Sequence, residues 1–326
     1  MNPSFDCGLH FVQSSAQELD LTHKHMTLLT LFSSPKPFTD PHINIIQRNA
    51  IESWTKLDDV KVILLGDEEG EAEVARELGV LHLPNVDVNE KGTPLISSML
   101  ALAREHGNTP LLGIINADIL VMNDITEASR RVHERLDQFV LLGQRWDLDI
   151  TQPMEFVGNW QSKLREKALT EGELHRPAGS DYFIFPRELY ADIPNFAIGR
   201  AGWDNWFIYK ARAEKWDVVD ATPDVMIVHQ NHDYRHLAGG QIHYGAPETK
   251  KNTEMAGGVV QTRYTILDAT HQLRDGKIVR PRWTTGRFLR GVEQLLRKVL
   301  FFLPEDKVER IVRPKRWKKI LKRKFR

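Results

Sequence analysis

Three short apolar runs, each closed by turn residues and separated by helical patterns, constrain this chain more than any other feature. MTLLTLF (26–32), VKVILLG (60–66) and LLGIINADIL (111–120) are rich in strand formers and too short for helices. Between the first two, HINIIQRNAIESW (42–54) places Ile45, Ile46, Ala50, Ile51 and Trp54 at helical spacing. EVARELG (73–79) reads as a short helix stopped by Gly79, and VLHLPNV (80–86) as a weaker strand. GTPLISSMLALAREHGN (92–108) predicts a helix with Thr93 as N-cap and Pro94 in its first position. Strand and helix thus alternate three times between 26 and 120. That pattern predicts an α/β fold of Rossmann type: a doubly wound, mostly parallel sheet with helices on both faces. Ligands of such sheets bind beyond the carboxyl ends of the strands.

The later pieces extend the pattern. ITEASRRVHERL (125–136) predicts a helix, FVLLGQRWDLDI (139–150) a strand, and the polar stretch 151–178 a long excursion with a helix over the site. SDYFIFP (180–186) predicts a strand, WDNWFIYKARAEKW (203–216) a helix, and DVVDATPDVMIVHQNHDY (217–234) one or two strands. Residues 237–286 are Gly-rich and read as irregular. The hydrophobic fraction of 41% supports a sizeable core and excludes a disordered chain. The single cysteine, Cys7, excludes an internal disulfide and suits a reducing compartment. MNPSFDCGLHFVQ has no basic region followed by an apolar run, and no window holds 18 consecutive apolar residues. Neither a secretory signal nor a transmembrane helix is predicted.

Polar residues interrupt the apolar runs at strand ends, and there the chemistry concentrates. Asn116-Ala117-Asp118 follows LLGII, where an acid suits a divalent ion carrying phosphate oxygens; a turn cap is the alternative. Gly66-Asp67 ends the second strand, placing a carboxylate where it can meet a base or ribose, or simply form an acidic turn with Glu68, Glu69 and Glu71. Lys91, before the 92–108 helix, can face phosphates together with that helix's N-terminus; an ordinary capped start is the alternative. Asp204 lies between Trp203 and Trp206 at a helix start, either a cap or a general base in an aromatic cleft suited to sugars. Asp181 opens the strand SDYFIFP. His229 ends the strand VMIV, and His232 follows three residues on. With no cysteine near these histidines and no HExxH pattern, a zinc site is not predicted; one imidazole completing a carboxylate and diphosphate metal site fits better, beside a hydrogen-bonded structural histidine.

The order of these pieces resembles the GT-A fold glycosyltransferases. A strand–helix–strand half is followed by a short acidic motif at a strand end, then GSDYFIFP (179–186), GWDNW (202–206) and a strand ending in His229. The resemblance spans about residues 26–235. Asn116 stands where the family's metal motif usually opens with Asp, and Trp203 where an acid pair usually opens with Glu. The resemblance implies Mn2+ or Mg2+ held by Asp118 and His229 against a nucleotide-diphospho-sugar, with Asn116 on the ribose. It implies Asp204 as the base of an inverting transfer. Asp181 is the reserve base, Asp67 and Lys91 the contacts to nucleoside or phosphates, and Trp203 and Trp206 the walls of the sugar and acceptor subsites. Two other classes fit the same pattern: a nucleotidyltransferase of related fold, and a non-catalytic glycan-binding protein. The first normally carries a Gly-rich phosphate loop after the first strand, where this chain has SSPKPFTD.

The net charge of zero divides unevenly. Residues 281–326 hold 16 Lys or Arg against 4 Asp or Glu, a net +12 that an acidic body balances. FLRGVEQLLRKVLFFL (288–303) places Leu289, Val292, Leu295, Leu296, Val299 and Leu303 on one helical face, and KRWKKILKRKFR ends the sequence. The chain therefore reads as an irregular lead-in (1–25), a transferase domain (26–280) and a basic amphipathic helical tail (281–326). The tail predicts contact with an anionic membrane surface, with a glycan or lipid-linked glycan as acceptor and no nucleic acid. The expected location is cytoplasmic, peripheral at the inner face of the membrane.

Overall fold

The computed structural model describes residues 27–232, 246–300 and 302–313, without the side chains of 305 and 306. The lead-in, Cys7, residues 233–245 and the terminal KRWKKILKRKFR lie outside the described residues.

The first half alternates as the apolar runs require: β1 (Leu29–Ser33), α1 (Pro41–Thr55), β2 (Val60–Leu65), α2 (Glu71–Leu78), β3 (Leu81–Leu83), α3 (Ile96–Gly107) and β4 (Leu111–Ile115). Then come β5 (Ile119–Leu120), α4 (Asp124–His133), β6 (Phe139–Leu142), β7 (Arg145–Leu148), α5 (Trp160–Glu171) and β8 (Glu173–Leu174). The rest comprises β9 (Tyr182–Pro186), α6 (Trp203–Ala213), β10 (Asp217–Asp220), β11 (Ile227–Gln230), α7 (Pro247–Met255), β12 (His271–Arg274), β13 (Lys277–Val279), α8 (Thr285–Val299) and α9 (Glu305–Val312).

Nine strands form one sheet in the order β13-β12-β10-β6-β9-β4-β1-β2-β3. Strands β3, β2, β1 and β4 are mutually parallel, as are β6, β10 and β12. All five residues of β1 and of β4 are buried, as strands covered on both faces must be. One apolar cluster, with Trp54, Leu64 and Val219, covers one face; another, with Met99, Phe183 and Phe207, covers the other. Helix α1 starts where Asp40 Oδ1 accepts from the N–H groups of His42 and Ile43, with Pro41 in the first turn. It buries Ile43, Ile46, Ala50, Ile51 and Trp54, while Ile45 stays half-buried.

Two features of the topology build the site. Strand β9 runs antiparallel between β4 and β6, so its start meets the carboxyl end of β4, with Ile115 opposite Tyr182. A second sheet, β5-β11-β7-β8, places His229 opposite both Ile119 and Asp147. Helix α5 buries Trp160 and Leu164 against Val228 of this smaller sheet and Met226 just before it.

Three expectations are corrected. The run 139–150 is two strands in different sheets, because the chain leaves the large sheet at Gly143, where a Cβ would lie 2.8 Å from the Tyr182 hydroxyl. Helix α3 begins at Ile96 with Leu95 at its N-cap; Thr93 and Pro94 belong to the loop before it, and the Thr93 hydroxyl donates to Glu248 instead. The stretch 237–286 is not irregular where described: it contains α7 and the β12–β13 hairpin that ends the large sheet. Apolar positions expected on one face of the tail helix are, by contrast, found on α8 and turned to solvent, with Leu289 60% and Leu295 61% exposed. Among the described residues no helix is long and apolar enough to cross a membrane.

Candidate metal and nucleotide site

The carboxyl ends of β1, β4 and β11 and the start of β9 border a cleft of about 490 Å3. Asn116, Asp118, Asp181, His229 and Lys91 line it, together with His232, Lys36, Glu68, Arg145 and Arg200.

The centre is Asp118. Its Oδ2 lies 3.1 Å from His232 Nε2 and 3.8 Å from His229 Nε2. Ligand atoms of the three side chains all fall within 4.8 Å of one another. Burial alone would raise the Asp118 pKa, but the His232 hydrogen bond and the charges of His229, His232 and Lys36 hold it well below the usual carboxylate range. Asp118 Oδ1 is buried and accepts no hydrogen bond among the described residues. A buried unpaired carboxylate oxygen is costly, and an ion satisfies it. One carboxylate and two imidazoles at this spacing therefore fit a divalent cation, and two nitrogen donors suit Mn2+ better than the strongly oxygen-seeking Mg2+.

Behind the histidines stands Asp147. His229 Nδ1 lies 3.1 Å from Asp147 Oδ1, off the ideal hydrogen-bond direction, and His175 Nδ1 lies 2.6 Å from Oδ2. Arg145 Nε donates to the same Oδ1 at 2.8 Å. For His229, burial lowers the pKa, but Asp147 and Asp118 outweigh it and the net shift is upward. Arg145 also reaches across the rim, its Nη1 donating to Asp181 Oδ1 at 2.7 Å. Asn116 donates to that oxygen through Nδ2 (2.9 Å) and to the Asp181 carbonyl through its backbone (2.9 Å). Asn116 thereby ties β4 to β9 while it lines the cleft.

The opposite wall is cationic. Lys36 follows β1 in a loop held by Gln47, which accepts from the Lys36 N–H (2.7 Å) and donates to its carbonyl (2.9 Å). Burial lowers the Lys36 pKa, and the charge of Asp118 opposes that shift. The loop carrying Lys91 is clamped by Glu248, which accepts from Asn89 Nδ2 (2.7 Å), Thr93 Oγ1 (2.7 Å) and Arg200 Nε (2.8 Å). Burial raises the Glu248 pKa, but these three donors prevail and bring it to about 2.

Three expected contact residues fall elsewhere. Asp67 is exposed and does not line the cleft; its neighbour Glu68 does. Trp203 and Trp206 are each 6% exposed and pack on Phe183, Phe196 and Phe207, so the expectation of sugar-binding walls is corrected: both rings fill the core under the large sheet. Asp204 is partly buried in the first turn of α6, where Oδ1 accepts from the Gly202 N–H at 3.3 Å. It does not line the cleft, but Asp181 is close enough for their charges to repel. Burial first, then Asp181, pushes the Asp204 pKa up to about 6.

His232 and Asp147 extend the expected metal site. The His-x-x-His spacing signalled the first, whereas Asp147 sits inside a charged strand that offers no signal until β7 pairs with β11.

No family model matches the chain, and no curated protein matches it. Solved structures resemble it at low identity. The mannosyltransferase PcManGT from Pyrobaculum calidifontis, in complex with GDP-Man and Mn2+, is 16% identical over 63% of this chain and 57% of its own, with a TM-score of 0.38. S. aureus TarS 1-349 in complex with UDP-GlcNAc is 12% identical over 72% of this chain and 66% of its own, with a TM-score of 0.46. GalNAc-T7 with UDP, GalNAc and Mn2+ is 13% identical over 71% of this chain and 48% of its own, with a TM-score of 0.45. This chain spans between about half and two thirds of their lengths.

Proposed function

We infer that this protein is a glycosyltransferase of the GT-A type, moving a sugar from a nucleotide-diphospho-sugar to a hydroxyl with the help of Mn2+ or Mg2+. The observation that carries this reading is the meeting of Asp118, His229 and His232 at the strand ends of a doubly wound sheet, with one buried Asp118 oxygen unpaired among the described residues. A cation bound there neutralises charge on the two phosphates and on the leaving diphosphate. The same three donors also suit ferrous iron. The cationic wall of Lys36, Lys91 and Arg200 favours a diphosphate ligand instead.

Asp204 takes the proton of the acceptor hydroxyl. Its pKa of about 6 leaves it ionised at neutral pH yet a stronger base than an exposed aspartate. Attack by that hydroxyl on the donor inverts the anomeric centre. Asp181 is the second candidate, but its Oδ1 already accepts from Arg145 and Asn116, which commits it to holding the rim together. The acceptor is a glycan or lipid-linked glycan of polysaccharide biosynthesis, met at the cytoplasmic face of a membrane; the basic tail supports that placement.

Calorimetric titration of GDP and UDP, with Mn2+, with Mg2+ and with EDTA, tests the reading directly. Nucleotide binding that strengthens with metal in the wild type and not in Asp118→Ala supports it. Equal affinity with and without metal overturns it. A panel of nucleotide-sugars, screened for metal-dependent hydrolysis, then identifies the donor.

A further inference from the structure

Helix α8 is amphipathic in the sense opposite to a helix packed on a core. Its charged side faces the body. Arg287 Nη2 donates to Asp220 Oδ2 at 2.8 Å, Arg290 Nε to Asp268 Oδ1 at 2.8 Å, and Arg297 Nη2 to Glu309 Oε2 of α9 at 2.7 Å. Arg290 is only 7% exposed. The apolar side faces outward: Phe288 is 50% exposed, Leu289 60%, Val292 37%, Leu295 61% and Val299 57%. Positions 288, 292, 295 and 299 follow one another by four, three and four residues, so they form a single stripe along the helix. Trp283, 76% exposed, extends it, its ring 5.6 Å from that of Phe288. Burying arginines while holding leucines in water opposes the hydrophobic effect unless the stripe meets an apolar medium.

We propose that this stripe seats α8 in the surface of an anionic lipid bilayer. Charge selects that occupant. The segment 281–326 carries a net +12, and Lys298, between Leu295 and Val299 in α8, is exposed with them. Anionic headgroups complement such a surface, as for other basic amphipathic helices. A second copy of the chain would set two segments of net +12 against each other. The stripe also borders a groove of about 660 Å3 that includes Leu289, Val292 and Leu296 of α8, and Asn205, the neighbour of Asp204 in α6. Resting on the transferase reading above, this groove gives a membrane-anchored acceptor a path from the lipid surface toward the proposed base.

Flotation of the full chain tests the proposal with phosphatidylcholine vesicles containing phosphatidylglycerol and with pure phosphatidylcholine vesicles. The wild type should float with the anionic vesicles and at least about tenfold more weakly with the neutral ones. The double variant Leu295→Asp/Val299→Asp should bind anionic vesicles at least about tenfold more weakly, because it charges only exposed stripe positions. Its melting temperature and its Mn2+-dependent nucleotide binding should match the wild type, which separates lost docking from lost folding. Wild type that ignores anionic vesicles overturns the proposal, as does a double variant that floats undiminished. Sedimentation showing a wild-type dimer that this variant abolishes would assign the stripe to a second copy and overturn it too. Vesicle binding requires neither donor nor metal, so failure here leaves the transferase reading standing, and the reverse.

Discussion

Asp118 and Asp204 are the same residue in two opposite environments. Asp118 is hydrogen-bonded to His232 and lies beside His229 and Lys36, and these neighbours hold its carboxyl well below the ordinary range despite burial. Among the described residues Asp204 has only backbone N–H groups against it and faces the charge of Asp181, so burial prevails and its pKa rises to about 6. The first environment suits a permanently charged ligand for a cation. The second suits a group that gains and loses a proton near neutrality. The difference lies in the partners each fold position supplies, not in the residue.

The sharpest way to break this comparison is Asp204→Asn. Asn is nearly isosteric, so donor binding should persist while transfer falls by about 10² to 10⁴. Full transfer in that variant, with loss in Asp181→Asn instead, would move the base to the rim. Next comes Asp118→Ala, which removes a ligand and the negative charge that offsets the cation. Its Mn2+ affinity by calorimetry should fall by more than the roughly 10- to 100-fold that losing an outer-shell partner costs. Asp147→Ala is such an outer-shell change, since Asp147 orients His229 and His175. A drop of about 10- to 100-fold in Mn2+ affinity is expected; an unchanged affinity would reduce Asp147 to a structural ion-pair partner.

The smallest effect is on stability, and its sign distinguishes the two acids. The folded-state pKa of Asp204 lies above its ordinary value of 3.8. The favourable contribution of the neutral acid is therefore complete below about pH 4 and is lost as pH rises through about 6. Asn carries no such penalty. Asp204→Asn should stabilise the protein by about 1 to 3 kcal/mol at pH 8 and by almost nothing at pH 4, measured by denaturant unfolding. Destabilisation at pH 8 would mean that its capping bond to Gly202 outweighs the buried charge.

Much of this was legible in the sequence because burial leaves a local imprint. Apolar runs of strand length predicted β1, β2 and β4, helical spacing predicted α1, and the stretches 125–136 and 203–216 read as the helices that α4 and α6 are. An acid interrupting an apolar strand marked Asp118, and a histidine ending one marked His229. Longer-range facts were hidden. Trp203 and Trp206 looked like sugar platforms because the pattern GWDNW does not say which way a ring points; both turned inward onto Phe183, Phe196 and Phe207. The β12–β13 hairpin escaped notice because four- and three-residue strands make little periodicity of their own.

By itself, then, the sequence determined the alternating α/β layers, the polar residues at the strand ends and the excess positive charge after residue 280, since each depends on neighbours a few positions away. Only the tertiary structure decided which of those polar residues meet. The antiparallel insertion of β9 brought Asp181 to Asn116 and Arg145, and the register of β7 with β11 set Asp147 beside His229. It also decided that α8 would turn its arginines inward and its leucines out, because acids at positions 220, 268 and 309 gather beneath that helix. Such encounters depend on strand register and helix rotation across tens to more than a hundred residues, which local periodicity does not encode.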